Sequence, residues 1–125
     1  MVNYKYFTED ELRCKCGCGQ CLMDNDFMTR VEFARDNCDF PWIPRSAYRC
    51  PAHDTEVKGD GNHPTGKALD VEFHSSHELF VLVREVIQQG IRRIGIKFEQ
   101  VKPTAKGFLH FDTVSFHPDE VLWGY

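Results

Sequence analysis

Residues 68–73 read Ala-Leu-Asp-Val-Glu-Phe, and this alternation of apolar with acidic side chains decides the fold. In an extended chain, successive side chains point to opposite faces. Leu69, Val71 and Phe73 therefore share one face, while Asp70 lies on the other. The pattern predicts a half-buried strand with an acidic group on its far side.

A long amphipathic helix is predicted directly after this strand. Ser75 and Glu78 have the spacing of a capping box, and Gly90 is suited to end the helix. One predicted face carries the apolar residues Leu79, Phe80, Val83, Val86 and Ile87. A helix of this kind packs its apolar face onto a sheet.

Two further strands follow, joined by a predicted hairpin loop over residues 102–107. Their inward-facing residues are Ile94, Ile96 and Phe98 in the first strand and Leu109 and Phe111 in the second. His110 and Asp112 then project together from the opposite side of the second strand. The carboxylate of Asp70 is expected on that same open face of the sheet.

Two helices are predicted in the first half of the chain. Thr8 and Glu11 form a second capping box, and Asp24 or Asn25 caps a helix with core residues Phe27, Val31 and Ala34. An irregular extended stretch follows up to residue 49, and residues 58–66 are predicted as a surface loop. We therefore predict one α+β domain over residues 1–125, with helices packed on one face of a small antiparallel sheet.

Composition limits the classes of function. The chain has 125 residues, 42% of them hydrophobic, and a formal net charge of -4. Scattered basic residues and a negative balance argue against nucleic-acid binding. No apolar run has the length of a membrane span, and the N-terminus lacks the apolar core of a signal peptide. We expect a monomer made in the cytoplasm without a signal peptide.

Six cysteines allow more than one interpretation: Cys14, Cys16, Cys18, Cys21, Cys38 and Cys50. The Cys18-x-x-Cys21 pair has zinc-knuckle spacing, while an even count in a short chain also suits disulfides. Reduced, half-buried thiols are the third alternative. The spacing alone leaves all three open.

His63, Asp70 and His110 are the residues whose chemistry suits a catalytic metal. Two imidazoles and a carboxylate give zinc three protein ligands and leave a fourth position for water. Zinc in such a site polarises a carbonyl and lowers the pKa of bound water to about 7, which amide hydrolysis requires. A histidine in a loop is also commonly just solvated or hydrogen-bonded.

The chain carries Ser-Ala-Tyr-Arg at residues 46–49, His-Pro-Thr-Gly-Lys-Ala-Leu-Asp-Val at 63–71 and His-Phe-Asp at 110–112. In this order along the chain, the three segments resemble motifs of the zinc D-alanyl-D-alanine carboxypeptidase family. That family includes phage L-alanyl-D-glutamate endopeptidases and shares its fold with the hedgehog signalling domain. Residues 63–71 resemble its His-x-x-Gly-x-Ala-x-Asp motif. Residues 46–49 resemble its Ser-Gly-Tyr-Arg segment, and residues 110–112 resemble its His-x-Asp strand. Residues 7–12 and the Cys-Gly-Cys-Gly after them resemble short, often phage-encoded members.

The resemblance implies roles for five residues. His63, Asp70 and His110 would bind Zn²⁺ in a cleft on the sheet face opposite the helices. Arg49 would hold a substrate carboxylate through paired hydrogen bonds, and Ser46 would add another. The implied reaction is hydrolysis of a peptide bond in peptidoglycan stem peptides, by a D-Ala-D-Ala carboxypeptidase or an L-Ala-D-Glu endopeptidase.

The chain departs from the family pattern at two glycines. Gly61 stands where many relatives carry Ser, and Gly107 stands where several carry the acidic general base. Asp112 is our first choice for that base, or for a carboxylate that orients a ligand imidazole. Glu72 and then Glu99 are weaker choices. No role is assigned to the remaining histidines, which are His53, His74, His77 and His117. Of these four, we expect His53 to lie nearest the predicted cleft.

Three classes of function stay open at this point. The first is an endolysin-like peptidase of bacteriophage or bacterial origin that acts on the cell wall, released at lysis if phage-encoded. The second is a non-catalytic, zinc-stabilised module that binds cell wall or protein, which the glycine at position 107 favours. The third is a protein whose principal metal lies among residues 14–21.

Overall fold

The computed structural model describes residues 4–125. Met1 to Asn3, which begin the segment examined for a signal peptide, lie outside the described residues. The four helices are α1 Glu9–Leu12, α2 Asn25–Asp36, α3 Pro51–Glu56 and α4 Ser76–Gln88. The strands are β1 Pro44–Ser46, β2 Ala68–Phe73, β3 Arg93–Gln100, β4 Lys106–Asp112 and β5 Val121–Gly124. A 3₁₀ turn, His63–Thr65, precedes β2.

The five strands form one mixed sheet in the order β1-β2-β4-β3-β5. β5 runs parallel to β3, so the predicted wholly antiparallel sheet is wrong at this edge. Residues 121–124, Val-Leu-Trp-Gly, do not alternate between apolar and polar side chains, and no strand is predicted there. β5 can lie against β3 because Gly95 has no side chain: a Cβ at that position would lie 2.5 Å from the Trp123 indole.

The register of β2 against β4 pairs Asp70 with His110. The flanking pairs are Leu69 with Phe111 and Val71 with Leu109, and all four of these apolar side chains are buried. Since side chains alternate between faces, Asp70 and His110 project from the face opposite these core residues. The strands predicted from alternation are therefore confirmed, with the expected facing.

Three of the four helices begin at the predicted caps. The side chains of Thr8, Asp24 and Ser75 each accept a hydrogen bond from a backbone N–H in the first turn of α1, α2 and α4. The helix α3 is not predicted from the sequence. It begins after Cys50, whose Sγ accepts a hydrogen bond from the His53 backbone N–H at 3.4 Å.

The buried face of α4 differs from the predicted one. Phe80 and Ile87 are 63% and 51% exposed. Val86 is buried as predicted, but the other buried residues lie outside the predicted face: Val81, Leu82 and Glu85. The helix packs against α2 as well as against β2 and β4, and this second neighbour rotates the buried stripe away from the predicted positions. Helical periodicity alone does not reveal which neighbours a helix will have.

The main core lies between the helices and one face of the sheet. Its largest fully buried side chains include Phe27, Phe73, Phe111, Leu12 and Leu69. A smaller cluster of Cys14, Tyr48 and Cys50 packs beside it. Within residues 4–125, no helix combines the length and the hydropathy that crossing a membrane requires.

Candidate metal centre and its cleft

Three buried side chains from separate elements converge at one point. His63 comes from the 3₁₀ turn, Asp70 from β2 and His110 from β4. His110 Nδ1 lies 2.8 Å from Asp70 Oδ1, and His63 Nε2 lies 3.5 Å from Asp70 Oδ2. The fold thus brings together the three residues that the sequence proposed as a set.

The outer nitrogen of each imidazole is already held by the protein. His63 Nδ1 is 2.7 Å from the backbone oxygen of Ala47, and His110 Nε2 is 2.6 Å from Asp112 Oδ2. A carbonyl oxygen can only accept, so the Nδ1 of His63 carries the proton. These contacts direct His63 Nε2 and His110 Nδ1 towards the Asp70 carboxylate.

The charges in this group are strongly coupled. Burial disfavours a charged imidazole, but the carboxylates of Asp112 and Asp70 outweigh it and raise the pKa of His110 to about 9. Burial also opposes ionisation of Asp70, yet hydrogen bonds from His110 and His63 hold the pKa of that carboxyl well below its usual range. The site therefore contains an ionised carboxylate at its centre.

The donor set fits a zinc ion. Two imidazole nitrogens and one carboxylate oxygen, all within 4.8 Å of one another, are the ligand types that open zinc sites use. A carbonyl or carboxylate on the outer nitrogen of each imidazole is the usual support for a zinc-binding histidine. Both histidines have this support.

Asp112 contacts the His110 imidazole on the side away from Asp70. Its side chain is fully buried and accepts hydrogen bonds from Arg93 Nε at 2.7 Å and the Val114 backbone N–H at 3.2 Å, besides contacting His110. All of these partners belong to the protein interior. The geometry therefore favours the second of the two roles considered for Asp112, a carboxylate that orients the ligand imidazole.

Arg49 lies beside the metal group, as we call His63, Asp70 and His110 together, and has two hydrogen-bond partners of its own. Its Nη1 donates to Asp54 Oδ1 at 2.7 Å, and its Nη2 donates to Ser46 Oγ at 3.0 Å. Ser46 thus contacts the guanidinium, a position from which it orients Arg49. The Arg49 side chain remains 16% exposed, which leaves an edge accessible from the cleft.

Asp54 connects Arg49 to the loop that leads into His63. Its Oδ2 accepts a hydrogen bond from the Gly61 backbone N–H at 3.1 Å, and its backbone oxygen accepts one from Gly59 at 2.8 Å. A Cβ at Gly59 would lie 2.1 Å from Asp54 Oδ1 and 2.8 Å from Arg49 Nη1. A side chain at position 59 would therefore displace the Asp54–Arg49 ion pair on which the loop closes.

These groups line a cleft of about 220 Å³. Phe108 and Tyr125 supply aromatic surface. The polar wall consists of Arg49, Lys58, Asp60, His63, Asp70 and His110. Burial and the negative charges of Asp70, Asp60 and Asp112 raise the pKa of Tyr125 to about 12. Its hydroxyl therefore keeps its proton at neutral pH and can donate a hydrogen bond.

The other carboxylates considered for the base lie elsewhere. Both oxygens of Glu99 bind Arg45, at 2.8 and 2.9 Å, and Glu72 lies near Arg45 and His74. Neither lines the cleft. Gly107 has no room for an acid, because a Cβ there would lie 1.8 Å from the Lys97 backbone oxygen.

The four remaining histidines also lie outside the metal group. His53 pairs loosely with Glu56 at 3.7 Å, and His74 lies between Glu72 and Glu78. His117 Nε2 is 3.5 Å from the Asp60 backbone oxygen, and His77 is exposed in the first turn of α4. His53, expected nearest the cleft, is not among the residues that line it.

Sequence reasoning missed Asp54, Asp60 and Tyr125. Asp54 had a usable signal, since it lies five residues after an arginine and just before a glycine-rich loop. Asp60 and Tyr125 carried none. The loop that folds back on Arg49 brings Asp60 to the cleft, and the unpredicted parallel pairing of β5 with β3 brings Tyr125 there.

Comparison with known families agrees with this geometry. A family model described as Peptidase M15 matches residues 5–112. The chain has no significant match among curated proteins or among solved structures. Because the match covers most of the chain, this protein belongs to the Peptidase M15 family. The family is one of peptidases that are typically zinc-dependent, and the resemblance found in the sequence is confirmed at that level.

Proposed function

We propose that this protein is a zinc-dependent peptidase that hydrolyses a peptide bond in the stem peptides of bacterial peptidoglycan. The observation that carries the proposal is the convergence of His63 Nε2, Asp70 and His110 Nδ1 in the wall of a cleft that also contains Arg49. Zinc held by these three residues would polarise the scissile carbonyl and lower the pKa of water.

Arg49 supplies the binding group for the substrate. A stem peptide carries free carboxylates, and a guanidinium fork can hold one through charge-assisted hydrogen bonds. Asp54 and Ser46 fix the orientation of that fork before substrate arrives. Preorganisation of this kind saves the entropy of ordering a long side chain on binding.

We assign proton transfer to the carboxylate of Asp60. Apart from Asp70, it is the only carboxylate among the described residues that line the cleft, and it is exposed. A proton acceptor must reach the reacting atoms, which Asp112 cannot do from its place behind His110. We therefore propose Asp60 as the base and Asp112 as the positioning residue for His110.

A specific observation favours a second candidate, a non-catalytic module that binds cell wall. The backbone of β3 fills the place where a side chain at position 107 would lie, so the acid found there in several relatives is excluded. A binding module would use the same cleft, with Arg49 as its anchor.

Product analysis on purified peptidoglycan separates the two. The zinc-loaded wild type should release peptide fragments whose masses distinguish free D-alanine from a cut between L-alanine and D-glutamate. His110→Ala should abolish release, while His77→Ala, an exposed histidine outside the cleft, should leave it unchanged. Circular dichroism on each variant checks that the fold is kept.

Two outcomes decide against the peptidase. Release by folded His110→Ala at the wild-type rate would remove the metal group from the reaction. Sedimentation of wild type with the cell wall, without any released fragment, would favour the binding module.

A further inference from the structure

A second group of metal-ligating side chains lies outside the cleft. The sulfur atoms of Cys14, Cys16, Cys18 and Cys50 all fall within 4.8 Å of one another. Three of them come from one short loop after α1, and the fourth comes from the residue before α3. Cys21, the second member of the zinc-knuckle spacing, instead packs against the main core. The spatial partner of the loop cysteines is therefore Cys50, which lies far away in the sequence.

The distances among the sulfurs suit a shared ion. Cys14 Sγ is 3.5 Å from Cys16 Sγ, which in turn is 3.7 Å from Cys50 Sγ. All six cysteines are free thiols. Four sulfurs placed about 2.3 Å from a tetrahedral zinc lie about 3.8 Å apart, close to the separations found here. A cluster of four mutually close thiols also differs from two separate disulfide pairs.

Backbone N–H groups point at three of these sulfurs. Cys14 Sγ accepts a hydrogen bond from Cys50 N at 3.3 Å, Cys18 Sγ accepts one from Gln20 N at 3.5 Å, and Cys50 Sγ accepts one from His53 N. Hydrogen bonds of this kind stabilise negative charge on sulfur, and metal-bound thiolates are commonly supported by them. The main chain therefore supplies hydrogen-bond donors to three of the four sulfurs, those of Cys14, Cys18 and Cys50.

Two glycines allow the loop to turn around the cluster. Gly17 and Gly19 have φ of 93° and 77°, in the left-handed region, and a Cβ on either would meet nothing within 4 Å. Backbone conformation, and not lack of space, therefore calls for glycine at both positions. Alternating Cys and Gly turn the chain sharply enough for three successive cysteines to face one centre.

We propose that Cys14, Cys16, Cys18 and Cys50 bind one zinc ion as four thiolates, in a closed structural site separate from the cleft. On binding, the four thiols release their protons to solvent and no redox step is involved. Tetrahedral four-sulfur coordination leaves no open position, so this site has no catalytic role.

The site would attach the N-terminal loop to the substrate-binding segment. Cys50 directly follows Arg49, and the Tyr48 backbone N–H already donates to the Leu12 oxygen at 3.0 Å. A metal that ties Cys50 to the loop at residues 14–18 would hold Arg49 in place from outside the cleft.

Metal counting and cobalt spectroscopy on the full chain test the proposal. Wild type purified under reducing conditions and loaded with zinc should hold two equivalents. Loaded with cobalt, it should show near-ultraviolet thiolate-to-cobalt charge-transfer absorption. Cys16→Ala and Cys18→Ala should each lose this absorption and one equivalent of metal. These two positions are exposed, so their truncation leaves the core intact. Cys21→Ala, a neighbouring cysteine outside the cluster, should match wild type.

The result that would overturn the proposal is a wild type without the charge-transfer absorption, or with disulfides in its intact mass. Equal cobalt spectra for Cys18→Ala and Cys21→Ala would overturn it as well. Failure of the cleft site has a different signature. His63→Ala/Asp70→Ala that keeps both equivalents would contradict the proposed peptidase site and leave the cysteine site standing.

Discussion

The two groups of metal-ligating side chains differ in what holds them in place. His63, Asp70 and His110 are buried, and the register of β2 against β4 sets the separation of the last two. In the cysteine cluster, Cys16 and Cys18 are exposed and lie on a loop. A sheet ladder is a rigid support, whereas a loop depends on local contacts. The fold therefore builds the cleft group itself, while we expect the cysteine group to depend on its proposed ion for order.

One segment connects the two groups. The Ala47 backbone oxygen contacts His63, Arg49 lines the cleft, and Cys50 belongs to the cysteine cluster. Residues 46–50 thus form a short path between the proposed structural zinc site and the candidate metal centre of the cleft. Three predictions follow that test this contrast.

The largest effect is expected for Asp112→Asn. The change leaves the buried Arg93 guanidinium without its anionic partner and places an amide against His110. Removal of one partner of a buried ion pair costs about 3–5 kcal/mol of unfolding free energy. Urea unfolding measures the loss.

The control for this variant is Asp119→Asn. Asp119 pairs with Arg92 at 2.7 Å, but both side chains are more than half exposed. Such surface pairs contribute about 0–1 kcal/mol. Equal losses for the two variants would mean that the support behind His110 is no stronger than a surface contact.

An intermediate effect is expected when metals are stripped with a chelator. Amide hydrogen exchange at residues 14–18 should rise at least about tenfold, because a loop with few buried contacts opens locally when its ligand leaves. Amides of β2 and β4 should keep their protection, since the sheet ladder does not need an ion. Hydrogen-exchange mass spectrometry reads both regions in one experiment. A loop that stays protected without metal would contradict the contrast.

The smallest effect is expected for Glu99→Gln. Glu99 is exposed and bound to Arg45, and it is not among the residues that line the cleft. Its loss should change the rate of peptide release less than about twofold, as is usual for surface substitutions away from a site. Asp60→Asn, assayed beside it on the same substrate, should lower the rate strongly. A large loss for Glu99→Gln with little for Asp60→Asn would reverse our choice of base.

Much of the fold could be predicted from local patterns. Alternation predicted β2, β3 and β4, and side-chain caps predicted the starts of α1, α2 and α4. These signals are local, so tertiary contacts add little to them. α3, β1 and β5 escaped prediction. A short helix after a loop, a three-residue edge strand and an apolar edge strand carry weak periodicity. The buried face of α4 was shifted by its packing on α2.

The candidate site divides in the same way. His63, Asp70 and His110 could be grouped from residue types and from a resemblance in motif. The role of Asp112 could not be decided, because the choice between base and support depends on which groups surround it. Asp54 and Asp60 were missed because their meaning comes from a loop that folds back on Arg49.

The sequence by itself determined the α+β class, the strands with their inward faces, and the set of residues whose chemistry suits a metal. These follow from periodicity and side-chain chemistry, which are properties of the chain read in order. Only the tertiary structure decided that Asp112 lies behind His110, that Asp60 borders the cleft and that Cys50, not Cys21, joins the loop cysteines. Those outcomes depend on distances between segments far apart in the chain, and such distances are set by packing and strand register.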